Sequence, residues 1–147
     1  MNNKEFHTFR EYMKKEDTLT ASMEDYLEMI YRLSPTGFTR IHELAAALNV
    51  QPPSATKMVQ KLAEMGFADY EKYGMVVLSK KGKKVGRILM ERHQTVEDFL
   101  NLLGVTDGLL EETEKIEHTI SPQTLQGLRK ILNLFSLQPE LIEKLKD

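Results

Sequence analysis

Apolar residues recur along this chain at two different periods, and the period changes at turn-forming residues. Met23, Tyr26, Leu27 and Ile30 repeat at i, i+3, i+4 and i+7, the spacing of one helix face. Ser22 precedes them as a capping residue, and Ser34-Pro35-Thr36-Gly37 stops the helix. Ile41, Leu44, Ala45 and Leu48 predict a second, short helix, followed by a turn at Asn49 to Pro53 with proline near the next helix start. The third helix places Ala55, Met58, Val59 and Leu62 on one face. Lys57, Gln60, Lys61 and Glu64 then fall on the opposite, exposed face. Two short helices joined by a tight turn, the second presenting Lys and Gln outward, form the layout of a helix-turn-helix.

Beyond Gly66 the period shortens. Ala68-Asp69-Tyr70-Glu71-Lys72, Tyr73-Gly74 and Met75-Val76-Val77-Leu78 predict a β-hairpin, which would be a wing. A long helix opens around Leu78 to Gly82 and carries an apolar stripe from Val85 through Ile88, Leu89, Val96, Phe99 and Leu100 to Leu103, ending at Gly104. Further helices are predicted around Leu109 to Ile120 and Gln123 to Phe135, with a short one within Pro139 to Asp147. The apolar face of the Gln123 to Phe135 helix is too broad for one small core, and a dimer interface is its natural use; packing against the long helix is the alternative. Residues 1–20 show no clean period and are given no function.

The expected fold is therefore mostly α. An N-terminal winged helix-turn-helix (residues 21–80, after an extension over 1–20) is joined by a long helix to an all-α domain (81–147). The chain has 147 residues, 41% hydrophobic and 29% charged, which suits one compact soluble unit or two small lobes and not a large multidomain enzyme. It has no cysteine, so any metal must be held by His, carboxylates and carbonyls. No apolar run reaches membrane-helix length and no signal peptide is visible, so a cytoplasmic location is expected, with no membrane partner.

The net charge is −2, but it is unevenly placed: residues 1–53 carry −2, residues 54–92 carry +5 and residues 93–147 carry −5. A basic centre between acidic flanks fits a DNA-facing module attached to something else; a solvated lysine-rich helix fits the same count.

Three small clusters carry candidate chemistry. Asp25 and Glu28 lie about 60° apart on a helix and read either as a shared cation site or as a solvated acidic face. His93 sits in the apolar stripe, where a lone histidine is usually a core residue. Glu114, Glu117 and His118, at i, i+3 and i+4, put two carboxylates and an imidazole on one face within reach of one ion. Together they supply four carboxylates, two imidazoles and no sulfur, a set suited to Mn²⁺ or Fe²⁺ and, by affinity, to Zn²⁺ or Co²⁺. His7 and His42 belong to no cluster and read as surface residues.

The segments Ser22-Met23-Glu24-Asp25-Tyr26-Leu27-Glu28, Thr56-Lys57-Met58-Val59-Gln60-Lys61-Leu62, Tyr70-Glu71-Lys72-Tyr73 and Glu117-His118 resemble the manganese branch of the diphtheria-toxin-repressor-like family of metal-dependent transcriptional regulators. The likeness runs from about Ser22 to Phe135. It implies a metal site bridging the first helix, the linker helix and the dimerisation lobe, with Asp25, Glu28, His93, Glu114, Glu117 and His118 as ligands. Iron-responsive relatives carry a Met and a Cys where Asp25 and Glu114 stand here, so the resemblance implies manganese over iron. It also implies repression of metal uptake; since the chain stops soon after the expected dimer lobe, the additional SH3-like domain of longer relatives is not expected.

The expected mechanism follows. Two chains pair through the C-terminal helices, and metal, two Mn²⁺ per subunit, fixes each winged helix so that two recognition helices match a palindromic double-stranded operator. Gln60 is the base-reading candidate, Lys57 and Lys61 reach bases or phosphates, and Ser54, Thr56 and Lys72 are phosphate candidates. No catalytic residue and no small organic substrate are expected. Two rival readings stay open: a winged-helix regulator not gated by metal, and a binuclear carboxylate metalloenzyme, against which stand the missing second Glu-x-x-His motif and the lack of a nucleophile or phosphate loop.

Overall fold

The computed structural model describes residues 19–146. The chain divides into two compact units, with the boundary between Met90 and Glu91, inside one continuous helix.

The N-terminal unit begins with α1 (Ala21–Leu33), capped by Thr20, whose hydroxyl accepts from the Met23 N–H at 3.2 Å. The cap lies two residues before the expected Ser22, which occupies the second helical position instead. Strand β1 (Thr39–Arg40) precedes α2 (Ile41–Leu48), and α3 spans Pro52–Glu64. Asn49 ends α2 in the left-handed conformation at φ 54, which Asn tolerates better than most residues, and Pro52 opens α3. Strands β2 (Ala68–Glu71) and β3 (Met75–Leu78) form the hairpin. The sheet order is β1-β3-β2, all antiparallel, with Thr39 opposite Val76 and Tyr70 opposite Val76 on the other side. Two residues are too few for an alternating pattern, so β1 has no sequence signature; it exists because β3 offers it an edge.

The faces divide as the helical period requires. Leu27, Ile30, Leu44, Ala55, Val59, Leu62, Phe67, Val76 and Val85 are buried together, while Lys57, Gln60, Lys61 and Glu64 are exposed.

Helix α4 (Lys80–Leu102) starts from Ser79, whose hydroxyl accepts from the Gly82 N–H at 3.0 Å and donates to the Gly66 carbonyl at 2.7 Å. The Ser79 N–H adds a bond to the Phe67 carbonyl at 3.0 Å. Gly82 is there for closeness: a Cβ at that position would sit 1.9 Å from the Phe67 oxygen.

The C-terminal unit holds the end of α4, then α5 (Leu109–Glu117), α6 (Pro122–Leu137) and α7 (Glu140–Lys144). Its interior is unusual in composition. Val96, Leu100 and Leu125 are buried, but so are Arg92, His93, Thr95, Thr113 and Glu117. Several of its large apolar residues lie outside: Leu103, Leu110, Ile131, Leu134 and Leu137 are 54%, 61%, 41%, 46% and 71% exposed. On α6 the apolar residues divide: Leu125 is buried and Leu128, Leu132 and Phe135 are half-buried, while Ile131, Leu134 and Leu137 are left at the surface, as dimerisation requires.

Residues 1–18, including His7, lie outside the described residues; His42 is exposed as expected. Among the described residues no helix is long and apolar enough to cross a membrane.

Candidate metal centre and nucleic-acid interface

The C-terminal unit brings four of the six expected ligands together. His93 projects from α4 into the interior, 6% exposed, with Nδ1 2.6 Å from Glu117 Oε2. Glu117 stands on the last turn of α5 and is 1% exposed. Helix α5 ends three residues before the expected Ile120, because Ser121 caps the following helix and Pro122 opens it. His118 is nevertheless still helical in backbone (φ −81, ψ −14), so the i, i+3, i+4 face survives the helix end. Its Nε2 lies 3.4 Å from Glu117 Oε1 and 3.7 Å from Glu114 Oε2, and Glu114, Glu117 and His118 each offer a donor atom within 4.8 Å of the others.

Two residues that sequence reasoning missed complete this cluster. Glu97, one helical turn beyond His93, places Oε2 3.2 Å from His93 Nε2, so both ring nitrogens meet carboxylates. Arg92, 7% exposed, holds Nη2 3.4 Å from His118 Nδ1. The signal for Glu97 was present, since His93 and Glu97 are an i, i+4 pair; nothing in the pattern marks Arg92.

The cluster's electrostatics centre on Glu117. Burial pushes its carboxyl up, but the hydrogen bond and charge of His93, a hydrogen bond shared with Glu114 and the charge of His118 together outweigh burial, and the net displacement is downward. Glu117 stays ionised in an interior that disfavours charge. Its Oε1 is buried with no hydrogen-bond partner, the His118 contact being long for a hydrogen bond. An ionised, buried oxygen with an unused lone pair fits a cation, and oxygen and imidazole donors without sulfur fit a hard or borderline divalent one.

Asp25 and Glu28 sit one turn apart on α1 of the N-terminal unit. Neither is a freely solvated carboxylate: both are half-buried, and Glu28 accepts from Arg32 Nε at 3.0 Å.

On the candidate DNA side, α3 exposes Ser54, Lys57, Gln60 and Lys61, with Thr56 half-buried, and Lys72 is exposed on the turn between β2 and β3.

Comparison with known proteins accords with this anatomy. Residues 18–76 match the Iron dependent repressor, N-terminal DNA binding domain, and residues 79–146 match the Iron dependent repressor, metal binding and dimerisation domain. The chain is 43% identical to the HTH-type transcriptional regulator MntR of Oceanobacillus iheyensis over 86% of this chain and 88% of that protein. It is 41% identical to that of Geobacillus kaustophilus over 87% of this chain and 92% of that protein. The solved structure of the manganese regulator SloR superposes with a TM-score of 0.67 at 35% identity, over 78% of this chain. The present chain spans about half of that structure, 55%. A divalent-metal cluster and a winged helix-turn-helix on one chain, matched along both halves, leave no room for the enzyme reading: the chain belongs to the iron-dependent repressor family of metal-dependent, DNA-binding transcriptional regulators, which carry a dimerisation domain.

Proposed function

We propose that this regulator is a manganese-activated repressor of manganese uptake, with a DNA-binding region over residues 21–80 and a metal-binding and dimerisation region over 81–147. The observation that carries the reading is the donor set. His93, Glu114, Glu117 and His118 converge without any sulfur, and oxygen-rich sites suit Mn²⁺ better than thiolate-loving ions. Asp25 and Glu28 complete the set, giving four carboxylates and two imidazoles, enough for two Mn²⁺ per subunit; Fe²⁺, Co²⁺ and Zn²⁺ are substitutes of the same donor class. The names of the MntR relatives and of the manganese regulator SloR support the choice of metal.

In the absence of a cation these carboxylates repel one another. A bound divalent ion supplies the positive charge that offsets this repulsion. Each α3 is then held at a fixed offset within a homodimer, and two half-sites of a palindromic operator are met without selecting from a loose ensemble. Gln60 reads a base edge, Lys57 and Lys61 reach bases or phosphates, and Ser54, Thr56 and Lys72 bond phosphate.

The test is selection of a duplex from a random pool by the Mn²⁺-loaded protein, followed by anisotropy with that duplex in chelator and in Mn²⁺, alongside a count of bound Mn²⁺ by electron paramagnetic resonance. Saturable binding only with Mn²⁺, and two ions per subunit, are expected. Equal binding in chelator would leave the winged helix standing and remove the metal gate.

A further inference from the structure

The wing carries a side chain that the fold of its unit does not use. Between β2 and β3, Tyr73 holds a left-handed backbone (φ 64, ψ 29), which crowds the Cβ of a bulky residue and which glycine adopts freely. Its ring is 92% exposed, so no packing within the unit offsets the strain. The turn is nonetheless firmly placed. Arg40 donates from Nη1 to the Tyr73 carbonyl at 3.1 Å, is paired with Met75 in the β1–β3 register, and directly precedes α2. The turn is therefore tied to the start of the helix-turn-helix, and an aromatic ring on strained but anchored backbone is presented outward at a set offset from it. Strain retained in this way is a mark of function more than of stability.

The surroundings narrow the partner. Lys72 is exposed beside the ring, but so are Asp69 and Glu71 on β2, so the turn attracts phosphate only weakly by charge. A tyrosine needs no net charge: its ring packs on deoxyribose and its hydroxyl donates to a phosphate oxygen. The turn also lies within the segment matched as DNA binding, residues 18–76.

We propose that Tyr73 is a DNA contact, packing on the sugar–phosphate wall of the groove next to the one that α3 enters and bonding a phosphate through its hydroxyl. The proposal rests on the α3 reading given above. It assigns the wing a neutral, shape-reading contact beside the cationic one at Lys72.

The test uses the full-length, Mn²⁺-loaded protein and the duplex that wild type selects. Tyr73→Gly is the decisive variant because glycine accepts this backbone without strain. Its melting temperature is expected to equal or exceed that of wild type, while Kd for the duplex rises about tenfold, the scale of one lost aromatic contact. Tyr73→Phe keeps the ring and weakens binding by about threefold, the scale of one lost hydrogen bond. The slope of log Kd against log salt stays at the wild-type value in Tyr73→Gly, whereas Lys72→Ala lowers it by about one. Wild-type affinity in Tyr73→Gly overturns the proposal. So does a lowered melting temperature in that variant, which would give the ring a structural role. If binding depends on Lys57 but not Tyr73, this proposal alone fails; if it depends on Tyr73 but on neither Lys57 nor Gln60, the α3 assignment alone fails; a protein that selects no duplex defeats both.

Discussion

Replacing Glu117 with Gln removes one charge from the centre of the metal cluster while keeping its shape. The side chain is 1% exposed and meets His93 Nδ1 at 2.6 Å. In the metal-free protein two effects oppose. A charge-assisted hydrogen bond of about 1.5–3 kcal/mol is weakened, but a buried carboxylate no longer has to be kept from water. The melting temperature without metal should therefore fall modestly, by the equivalent of about 1 kcal/mol. The metal-bound state is affected far more. Residues that merely support a metal ligand cost about 10–100-fold in affinity when removed, and Glu117 faces both imidazoles directly, so a loss of at least about a hundredfold is expected. With Mn²⁺ at about one hundred times the wild-type Kd, metal stabilises the wild type by about 2.7 kcal/mol and the variant by only about 0.4 kcal/mol. At about 2–4 °C per kcal/mol for a chain of this size, differential scanning fluorimetry should record a Mn²⁺-induced rise of about 5–11 °C for wild type and about 1 °C for Glu117→Gln. A variant that keeps the full wild-type rise would refute the placing of Glu117 at the metal, and with it the meaning given to its unpartnered Oε1.

Further predictions follow from the same geometry. Lys57→Ala and Gln60→Ala should each weaken duplex binding by about 1–3 kcal/mol with Mn²⁺-induced melting shifts unchanged; only Lys57→Ala should also reduce the salt slope, by about one, and unchanged affinity in both variants would remove α3 from the interface. Gly82→Ala, whose Cβ would lie 1.9 Å from the Phe67 carbonyl, should destabilise the protein by about 2–3 kcal/mol in urea unfolding; a neutral result would mean that the start of α4 yields easily. Because the Glu117 carboxyl is held below its ordinary 4.5, its contribution to metal-free stability is present above that value and lost as pH falls through the folded one. Between neutral pH and about pH 3 the metal-free wild type should therefore lose more stability than Glu117→Gln, and parallel curves would deny the downward displacement. Leu134→Glu, at 46% exposure on α6, should convert dimer to monomer by sedimentation; an unaltered dimer would move the interface elsewhere.

Much of this architecture is legible in the residues because two periods alternate cleanly. The pattern at Ile41, Leu44, Ala45 and Leu48 predicts α2 with its observed bounds, and the hairpin around Tyr73-Gly74 falls where the period shortens. The His93 and Glu114-Glu117-His118 clusters are visible as spacing, although spacing alone cannot say that α4 and α5 bring Glu117 against His93. What stays hidden depends on tertiary partners. Strand β1 is two residues long and exists only by pairing with β3. The cap moves to Thr20 because the helix starts two residues early, which no periodicity registers. Gly82 falls where the long helix is expected to open, but its role as a close-packing site is hidden, since the Phe67 carbonyl that excludes a side chain lies 15 positions back in sequence. Arg92 enters the sequence reading only as one charge of the basic segment, and it is buried beside His118.

The C-terminal unit departs from the usual arrangement, with Arg92, His93 and Glu117 inside and several leucines outside. Such a unit has little to hold it together by itself: its interior gains cohesion from a cation and its exterior from a second copy. Folding, metal supply and protein concentration then become one coupled equilibrium. When metal is scarce or the protein dilute, this unit opens more often and offers the chain to proteases. Turnover of the repressor would thereby rise as metal falls, and the pool of regulator would follow the quantity that it measures.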